Sequence, residues 1–153
     1  MVLMKTKVKK YLKEIIGFSV VLIIATNVMS FYRASDLHVN DEICADGSDI
    51  VYFWATWCPV CKMESSNINL LSKYYNVKTI AVKSKESDIA IYKKEHKLDF
   101  DVINDYDGNL AKSAGIRVFP TIVTCKNKKV SFSDVGYTSI LGLLLRQYLP
   151  DLW

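Results

Sequence analysis

Apolar residues are grouped along this chain in three ways, and each grouping predicts a different kind of element. Residues 15–32 carry no charge and are mostly Ile, Val, Leu, Phe, Met and Ala. Residues 50–54 and 77–82 are short runs rich in β-branched and aromatic side chains, as expected of buried strands. Elsewhere the apolar positions recur at helical spacing. The pattern therefore predicts a long apolar helix followed by an α/β domain.

The α/β part is predicted to contain alternating strands and helices. A helix over 58–75 separates the first two strands, and such a unit favours parallel pairing through a right-handed crossover. We therefore expect a mixed sheet of four to five strands with helices on both faces. The other predicted elements are a helix over 87–98, a turn over 105–108, a short helix over 109–114, strands over 121–124 and 129–135 joined at 126–128, and a last helix over 138–149. Four side chains of the last helix are predicted to face inward: Leu141, Leu144, Leu145 and Tyr148.

The uncharged stretch over 15–32 predicts a membrane anchor. As a helix, it would span about 27 Å, which is just enough to cross a hydrocarbon core. Five lysines precede it within residues 1–14, whereas only Arg33 follows it closely. This asymmetry places residues 1–14 in the cytoplasm and the rest of the chain outside it. We expect a single-pass protein of the inner (cytoplasmic) membrane, with a linker over 33–41 and a periplasmic, extracytoplasmic domain over 42–153.

A cleaved signal peptide is the main alternative, because its charged and apolar regions follow the same pattern. The best cleavage site would place Ser30 before the cut and Val28 two positions earlier. No Ala-x-Ala pattern lies nearby, and the sequence therefore favours the uncleaved anchor.

The distribution of charge argues against one class of partner. The formal net charge of +4 comes from the first fourteen residues, and basic and acidic side chains are equal in number after them. The domain therefore lacks the basic stripe that nucleic-acid binding requires. With three Pro and six Gly, the composition also excludes collagen-like structure and disorder.

Two of the four cysteines form a Cys-Pro-Val-Cys sequence over 58–61. Cys58 stands where the first strand gives way to a helix, and unpaired N–H groups and the helix dipole favour a thiolate there. Pro59 fits the first helical turn because its missing N–H would have no acceptor. Cys61 can reach back to resolve a mixed disulfide. The pair therefore predicts a redox-active dithiol in which Cys58 is the nucleophile.

Other uses of a cysteine pair are less consistent with the sequence. A zinc site needs further ligands, and the candidates are isolated in the sequence: Cys44, Cys125, His38 and His96. A c-type haem site needs His at the position of Lys62. A purely structural disulfide is an alternative, but it does not require a strand–helix junction. We expect no metal and no organic cofactor.

Two segments resemble the thioredoxin superfamily. They are Trp54-Ala55-Thr56-Trp57-Cys58-Pro59-Val60-Cys61-Lys62-Met63-Glu64 and Gly115-Ile116-Arg117-Val118-Phe119-Pro120-Thr121. Their order and spacing are similar to those of the membrane-tethered TlpA/ResA/DsbE-like branch, and in particular of its suppressor-of-copper-sensitivity (ScsD-type) proteins. The resemblance covers roughly residues 40–150. It implies a thioredoxin-like fold and thiol:disulfide oxidoreductase activity on protein clients.

The resemblance also implies roles for individual residues. Cys58 would attack, Cys61 would resolve, and Pro120 would be a cis proline packed against them. The main chain of Phe119 would pair with a client peptide as an added strand. The other implied client-binding residues are Trp57, Pro59, Val60 and Thr121. A reductase of this type needs electrons from across the membrane, and the family implies a DsbD-like transmembrane donor.

Glu64 matches an acidic residue that ResA-like members carry three positions after the second cysteine. Because residues i and i+3 share a helix face, its carboxylate is expected one turn from Cys61, where it can take or relay a proton. A solvated residue without a role is the alternative. The family has a helix-kinking proline where this chain has Ser66, and a straighter helix changes where Glu64 points.

The topology predicts a second disulfide, between Cys44 and Cys125. Because Pro120 and Cys58 must meet at one edge of the sheet, the strand after Pro120 is expected to run antiparallel to the first strand. Cys125 then lies at the far end of the strand after Pro120, about 14 Å along that strand from Thr121. A turn over 46–49 can fold Cys44 back to the same end. The alternative is two buried free thiols.

The sequence leaves two functional questions open. The dithiol is also suited to binding Cu(I), a soft metal, although a proline packed beside the sulfurs would block access. The direction of electron flow is not decided either. The dipeptide Pro59-Val60 matches neither the usual thioredoxin dipeptide nor that of DsbA, so both reduction and oxidation of clients are consistent with the sequence.

Overall fold

The structure, a computed structural model, describes residues 11–22, 24–25, 28 and 38–148. The described residues before 38 are helical and exposed. Within this part of the chain, no helix is both long and apolar enough to span a membrane. The anchor predicted over 15–32 includes residues 23, 26–27 and 29–32, which lie outside the described residues, as does residue 149 of the predicted last helix.

Five strands form one mixed sheet in the order β3-β2-β1-β4-β5. They are β1 (Ile50–Trp54), β2 (Val77–Val82), β3 (Val102–Asp105), β4 (Thr121–Lys126) and β5 (Lys129–Val135). The first three are parallel, and β4 pairs antiparallel with both β1 and β5. Strand β1 lies at the centre, which explains why all five of its residues are apolar and buried.

Helical segments connect these strands. In residues 38–148 they are a 3₁₀ helix (Asp41–Cys44), α1 (Pro59–Leu71), α2 (Glu86–His96), α3 (Asn109–Ser113) and α4 (Ile140–Tyr148). Helix α3 is short, and Asp105 holds its start: the carboxylate accepts the N–H groups of Leu110 at 3.1 Å and Ala111 at 2.9 Å. The mixed sheet with helices is the predicted α/β, thioredoxin-like arrangement.

The alternating side chains of β1 divide the core in two. Tyr52 and Trp54 belong to one buried cluster, together with Cys58 and Cys61. Val51 and Phe53 belong to the other, together with Cys44 and Cys125. Burial of a large apolar side chain stabilises the fold by roughly 1.5–3 kcal/mol. The two cysteine pairs are therefore anchored on opposite faces of the most buried strand.

Several predicted element boundaries need correction. The sequence did not predict β3, because this edge strand is half polar: Ile103 is 43% exposed and Asn104 is exposed. Helix α1 ends at Leu71 rather than at 75. Helix α2 begins at Glu86, and its N-cap residue makes no side-chain cap bond. Strand β4 continues to Lys126, two residues beyond its predicted end.

The predicted inward face of α4 is wrong at three of its four positions, and only Leu144 packs against the core as predicted. Leu141, Leu145 and Tyr148 are exposed, whereas the buried positions of the helix are Gly142, Leu143, Arg146 and Gln147. Arg146 and Gln147 face inward because they have polar partners there. The guanidinium lies 2.6 Å from the Asp134 carboxylate, and the Gln147 amide donates to the Asp49 carbonyl at 3.2 Å.

Residues 38–44, which we call the N-terminal strap, are fixed to the domain at several points. The Asn40 N–H donates to the Ala114 carbonyl at 3.2 Å. Gly115 has a φ of +80°, and a Cβ there would overlap the His38 carbonyl oxygen. Cys44 is disulfide-bonded to Cys125, with an S–S distance of 1.99 Å and a Cα separation of 5.7 Å. The strap therefore packs against the face of the sheet that carries Val51 and Phe53, and Cys44 lies at the predicted end of the sheet beside Cys125.

Candidate active site

Cys58 and Cys61 lie at the start of α1. Cys58 is the N-cap residue, with φ −88° and ψ 112°, and its sulfur accepts the Cys61 N–H at 3.2 Å. Its own N–H donates to the Ala55 carbonyl at 3.2 Å, which closes the turn after β1. The two sulfurs are bonded, and the Cα atoms are 5.3 Å apart. Buried strand, tight turn and proline-started helix together hold the pair at the helix N-terminus.

The two sulfur residues differ in access. Cys58 is 4% exposed and Cys61 is 0% exposed. Around Cys58 the side chains of Trp57, Pro59 and Val60 are exposed, with Trp57 at 59%. A client sulfur can therefore approach Cys58 over an apolar rim, while Cys61 is covered by the helix.

The loop before β4 forms the opposite side of the site. The Phe119–Pro120 peptide bond is cis. The Phe119 ring meets the Trp57 ring edge-to-face, with 6.0 Å between centroids. In the described part of the chain the Phe119 main chain forms no hydrogen bond. Its N–H and carbonyl are therefore without a hydrogen-bond partner among the described residues.

Thr121 does not fit the client-binding role that the resemblance implied. The residue is fully buried, and its hydroxyl donates to the Val118 carbonyl at 2.7 Å. It pairs with Phe53 as the first residue of β4. Thr121 therefore shapes the turn around the proline instead of presenting a side chain to a client.

The Trp57 ring is also fixed from its other side. Its indole N–H donates to the Lys83 carbonyl at 3.2 Å. Beyond it lies an open groove of about 750 Å³, with Lys62, Lys83, Asp88, Glu95 and Asp107 in its lining. Trp57 therefore lies between Phe119 and a groove whose lining carries side chains of both charges.

Glu64 is buried, which excludes the solvated-residue alternative. Its side chain is 0% exposed, and one carboxylate oxygen accepts the Thr138 N–H at 3.0 Å. Burial raises its pKa to about 7, the bonds from Thr138 and Asn67 oppose the shift, and the charge of Asp134 adds to it. Near neutral pH the carboxyl can therefore both take and give a proton.

Three hydroxyl residues that the sequence pattern did not indicate lie near Cys61. Tyr52, Ser65 and Tyr92 are buried, and hydrogen bonds connect them to the Cys61 carbonyl. A tyrosine in a fully buried strand and a serine one helical turn after Cys61 were the available signals. Because both residue types occur in ordinary cores, the pattern alone did not reveal that they meet.

The isolated candidate ligands of the sequence do not form a metal site among the described residues. Cys44 and Cys125 are bonded to each other, and the His96 ring packs against Tyr92 at 4.6 Å between centroids. Among the described residues there is no group of three or more His, Cys, Asp or Glu that could hold a metal ion.

Comparison with known proteins places this geometry among thioredoxin-like proteins. The model of the AhpC/TSA family matches residues 34–133. A thioredoxin-like protein of Haemophilus influenzae is 30% identical over 163 aligned positions, covering 95% of this chain and 98% of that protein.

Solved structures share the fold. A thiol:disulfide interchange protein of the thioredoxin family from Chlorobium tepidum has a TM-score of 0.59 and 23% identity, over 70% of this chain and 81% of that one. StoA from Bacillus subtilis has a TM-score of 0.53 and 24% identity, over 65% of this chain and 80% of that one.

Proposed function

The chain belongs to the AhpC/TSA family of thioredoxin-like proteins and is a thiol:disulfide oxidoreductase, and we propose that it serves protein clients outside the cytoplasm while anchored in the membrane. One observation carries the chemistry. The sulfur of Cys58 lies at the helix N-cap, accepts the Cys61 N–H at 3.2 Å and has more solvent access than Cys61. A thiolate is stabilised at such a position and can be reached by a client.

The cycle has two exchange steps. In the reducing direction, the Cys58 thiolate attacks a client disulfide, a Cys58–client bond forms, and the other client sulfur leaves with the electron pair. The Cys61 thiolate then attacks the Cys58 sulfur, the Cys58–Cys61 bond forms, and the second client sulfur leaves. The client gains two electrons and the protein becomes the disulfide. The same steps in reverse oxidise a client dithiol.

Client recognition follows from the two sides of the site. A client strand beside Phe119 would use the main-chain groups that have no partner in the described structure, which is the usual way an extended peptide is added to a protein edge. Trp57, Pro59 and Val60 supply apolar contacts around the reacting sulfurs. Because main-chain groups make these hydrogen bonds, binding depends more on an extended client backbone than on a particular client sequence.

Glu64 is proposed to handle the proton of Cys61. It follows Cys61 by one helical turn, and its pKa of about 7 suits proton transfer near neutral pH. Deprotonation of Cys61 produces the nucleophile of the second step. The carboxyl returns the proton when the Cys58–Cys61 bond is broken again.

A trapping experiment tests the assignment of the two sulfurs. Cys61→Ala is expected to accumulate mixed disulfides with client proteins, because Cys58 still attacks but nothing resolves the product. Cys58→Ala is expected to accumulate essentially none. Diagonal non-reducing gels with mass spectrometry measure both variants, and equal trapping by the two would reject Cys58 as the nucleophile.

The membrane anchor is supported by the uncharged stretch over 15–32 and by the five lysines before it. We expect the domain outside the cytoplasm and still attached to the stretch. Protease digestion of spheroplasts reports the side of the domain, and sequencing the N-terminus of the mature protein reports attachment. A mature chain that starts just after Ser30 would instead establish a signal peptide.

The segment from Trp54 to Glu64 supports a ScsD-type relationship and, for a reductase, a DsbD-like transmembrane electron donor. The reduction potential against glutathione decides the direction. A value of about −120 mV marks an oxidant and about −270 mV a reductant.

A further inference from the structure

The Cys61 carbonyl accepts hydrogen bonds from two buried side chains. The Ser65 hydroxyl donates to it at 2.7 Å, and the Tyr52 hydroxyl donates to it at 3.1 Å. Ser65 lies on α1 one turn after Cys61, whereas Tyr52 projects from the centre of β1. A helix carbonyl ordinarily depends on its own helix alone. Here the sheet holds it as well.

The protons of these hydroxyls have a consistent assignment. Ser65 has one proton and Tyr52 has one, and the bonds to the Cys61 carbonyl use both, so the Ser65 oxygen acts as an acceptor for Tyr92. The Tyr92 hydroxyl lies 3.0 Å from it and the Tyr52 hydroxyl 3.3 Å. Burial raises the pKa of both tyrosines, so both stay protonated donors. Tyr92 therefore fixes the hydroxyl of Ser65 in the direction of Cys61.

We propose that Tyr52, Ser65 and Tyr92 are positioning residues for the second exchange step, in which they hold the Cys61 turn so that its sulfur stays in reach of Cys58. The idea rests on the proposed function, in which Cys58 attacks and Cys61 resolves. It concerns the molecule between the two steps, when Cys58 is bonded to the client and Cys61 is free.

The need for such a hold arises from the chemistry of that step. The Cys58–Cys61 bond fixes the Cys61 turn covalently. This bond is absent between the two steps. The Cys61 thiolate must then attack the Cys58 sulfur along the client S–S axis, and its electron pair displaces the client sulfur. A turn held by its carbonyl keeps the sulfur oriented, which favours this unimolecular step without affecting the encounter with the client.

Reaction with 5,5′-dithiobis(2-nitrobenzoate) separates the two steps. The pre-reduced protein releases one thionitrobenzoate when Cys58 attacks and a second when Cys61 resolves the mixed disulfide, leaving the oxidised pair. Stopped-flow absorbance resolves both phases. The first depends on reagent concentration and the second does not.

We expect Tyr52→Phe and Ser65→Ala to slow the second phase by about three- to tenfold, the effect of losing one net hydrogen bond. The first phase is expected to change by less than about twofold, since the Cys58 bond to the Cys61 N–H is untouched. Ser65→Thr keeps a hydroxyl and is expected to restore the second phase. Tyr92→Phe acts through Ser65, and its effect is expected to be smaller.

Matched controls lie nearby in the chain. Ser66→Ala changes the exposed neighbour of Ser65 on the same helix, and Tyr74→Phe removes an exposed hydroxyl. Both are expected to leave the two phases unchanged. Thermal unfolding is measured for every variant, and Tyr52→Phe, which keeps the ring, decides the test if Ser65→Ala folds poorly.

The outcomes distinguish this idea from the proposed function. If Tyr52→Phe has the wild-type second phase, or if both phases slow together in step with lost stability, the positioning role is wrong. If instead Cys58→Ala releases thionitrobenzoate as the wild type does, the assignment of the nucleophile fails and the proposal fails with it.

Discussion

At the scale of single residues, Glu64 combines a buried carboxyl group with a raised pKa. It is fully buried on α1, and its pKa in the folded protein is about 7 instead of the usual 4.5. Between these two values the folded chain holds a proton that the unfolded chain has released. The free energy of unfolding therefore falls as the pH rises through this window.

Glu64→Gln is expected to remove this pH dependence. The amide keeps an acceptor for the Thr138 N–H but does not titrate. Between pH 5 and pH 8, oxidised wild type is expected to lose about 2 kcal/mol of unfolding free energy relative to the variant. Urea unfolding at both pH values measures the difference. If the unfolding free energies of the two proteins change equally between pH 5 and pH 8, the pKa of Glu64 is not raised in the folded protein.

The sequence predicted those features of the site that depend on local spacing, but not those that depend on distant parts of the chain. The spacing of Cys58, Cys61 and Glu64 is local, so helical periodicity was enough to place each about one turn after the last. The burial of Glu64 depends on the backbone of Thr138, which is 74 residues away in the chain. Nothing in the local pattern around Glu64 indicates that partner. Thr121 was misassigned for a similar reason, since its hydroxyl turns back to Val118.

At the scale of elements, α4 shows where a hydrophobic pattern fails. The helix was predicted to bury Leu141, Leu145 and Tyr148, but it docks through Leu143 together with Arg146 and Gln147. Their partners, Asp134 on β5 and the carbonyl of Asp49, come from distant parts of the chain. Strands β1 and β2 were predicted correctly because β1 is buried along its whole length and β2 over its last four residues, so the local composition identifies them.

The ion pair of α4 is expected to matter more than its exposed leucines. Arg146→Met removes the cation 2.6 Å from the fully buried Asp134 carboxylate, which is expected to cost about 3 kcal/mol or more of unfolding free energy. Leu145→Ala, at an exposed position of the same helix, is the control and is expected to cost about 0.5 kcal/mol or less. Urea unfolding compares them.

Adding Asp134→Asn to Arg146→Met is expected to recover part of the loss, because the amide carries no buried charge. If the double variant is less stable than Arg146→Met alone, burial of a charge is not the reason for the cost.

At the scale of the whole molecule, the two cysteine pairs serve different faces of one sheet. The active pair lies with Tyr52 and Trp54, and the second pair lies with Val51 and Phe53. The second pair could be foreseen because strand direction alone brings Cys125 to the end of the sheet where the chain enters β1. The contacts of the strap with Ala114 and Gly115 could not, since they depend on a loop whose path no periodicity describes.

The Cys44–Cys125 bond joins residues 81 positions apart, so it restricts the unfolded chain strongly. Replacing both cysteines by alanine is expected to lower the free energy of unfolding by about 4 kcal/mol. Both phases of thionitrobenzoate release are expected to persist, because the active pair lies on the other face of β1. Urea unfolding and the stopped-flow assay measure the two quantities on one preparation, and non-reducing peptide mapping of the wild type verifies the link. Unchanged stability would show that the bond restricts little, and lost exchange in the folded variant would show that the two faces are coupled.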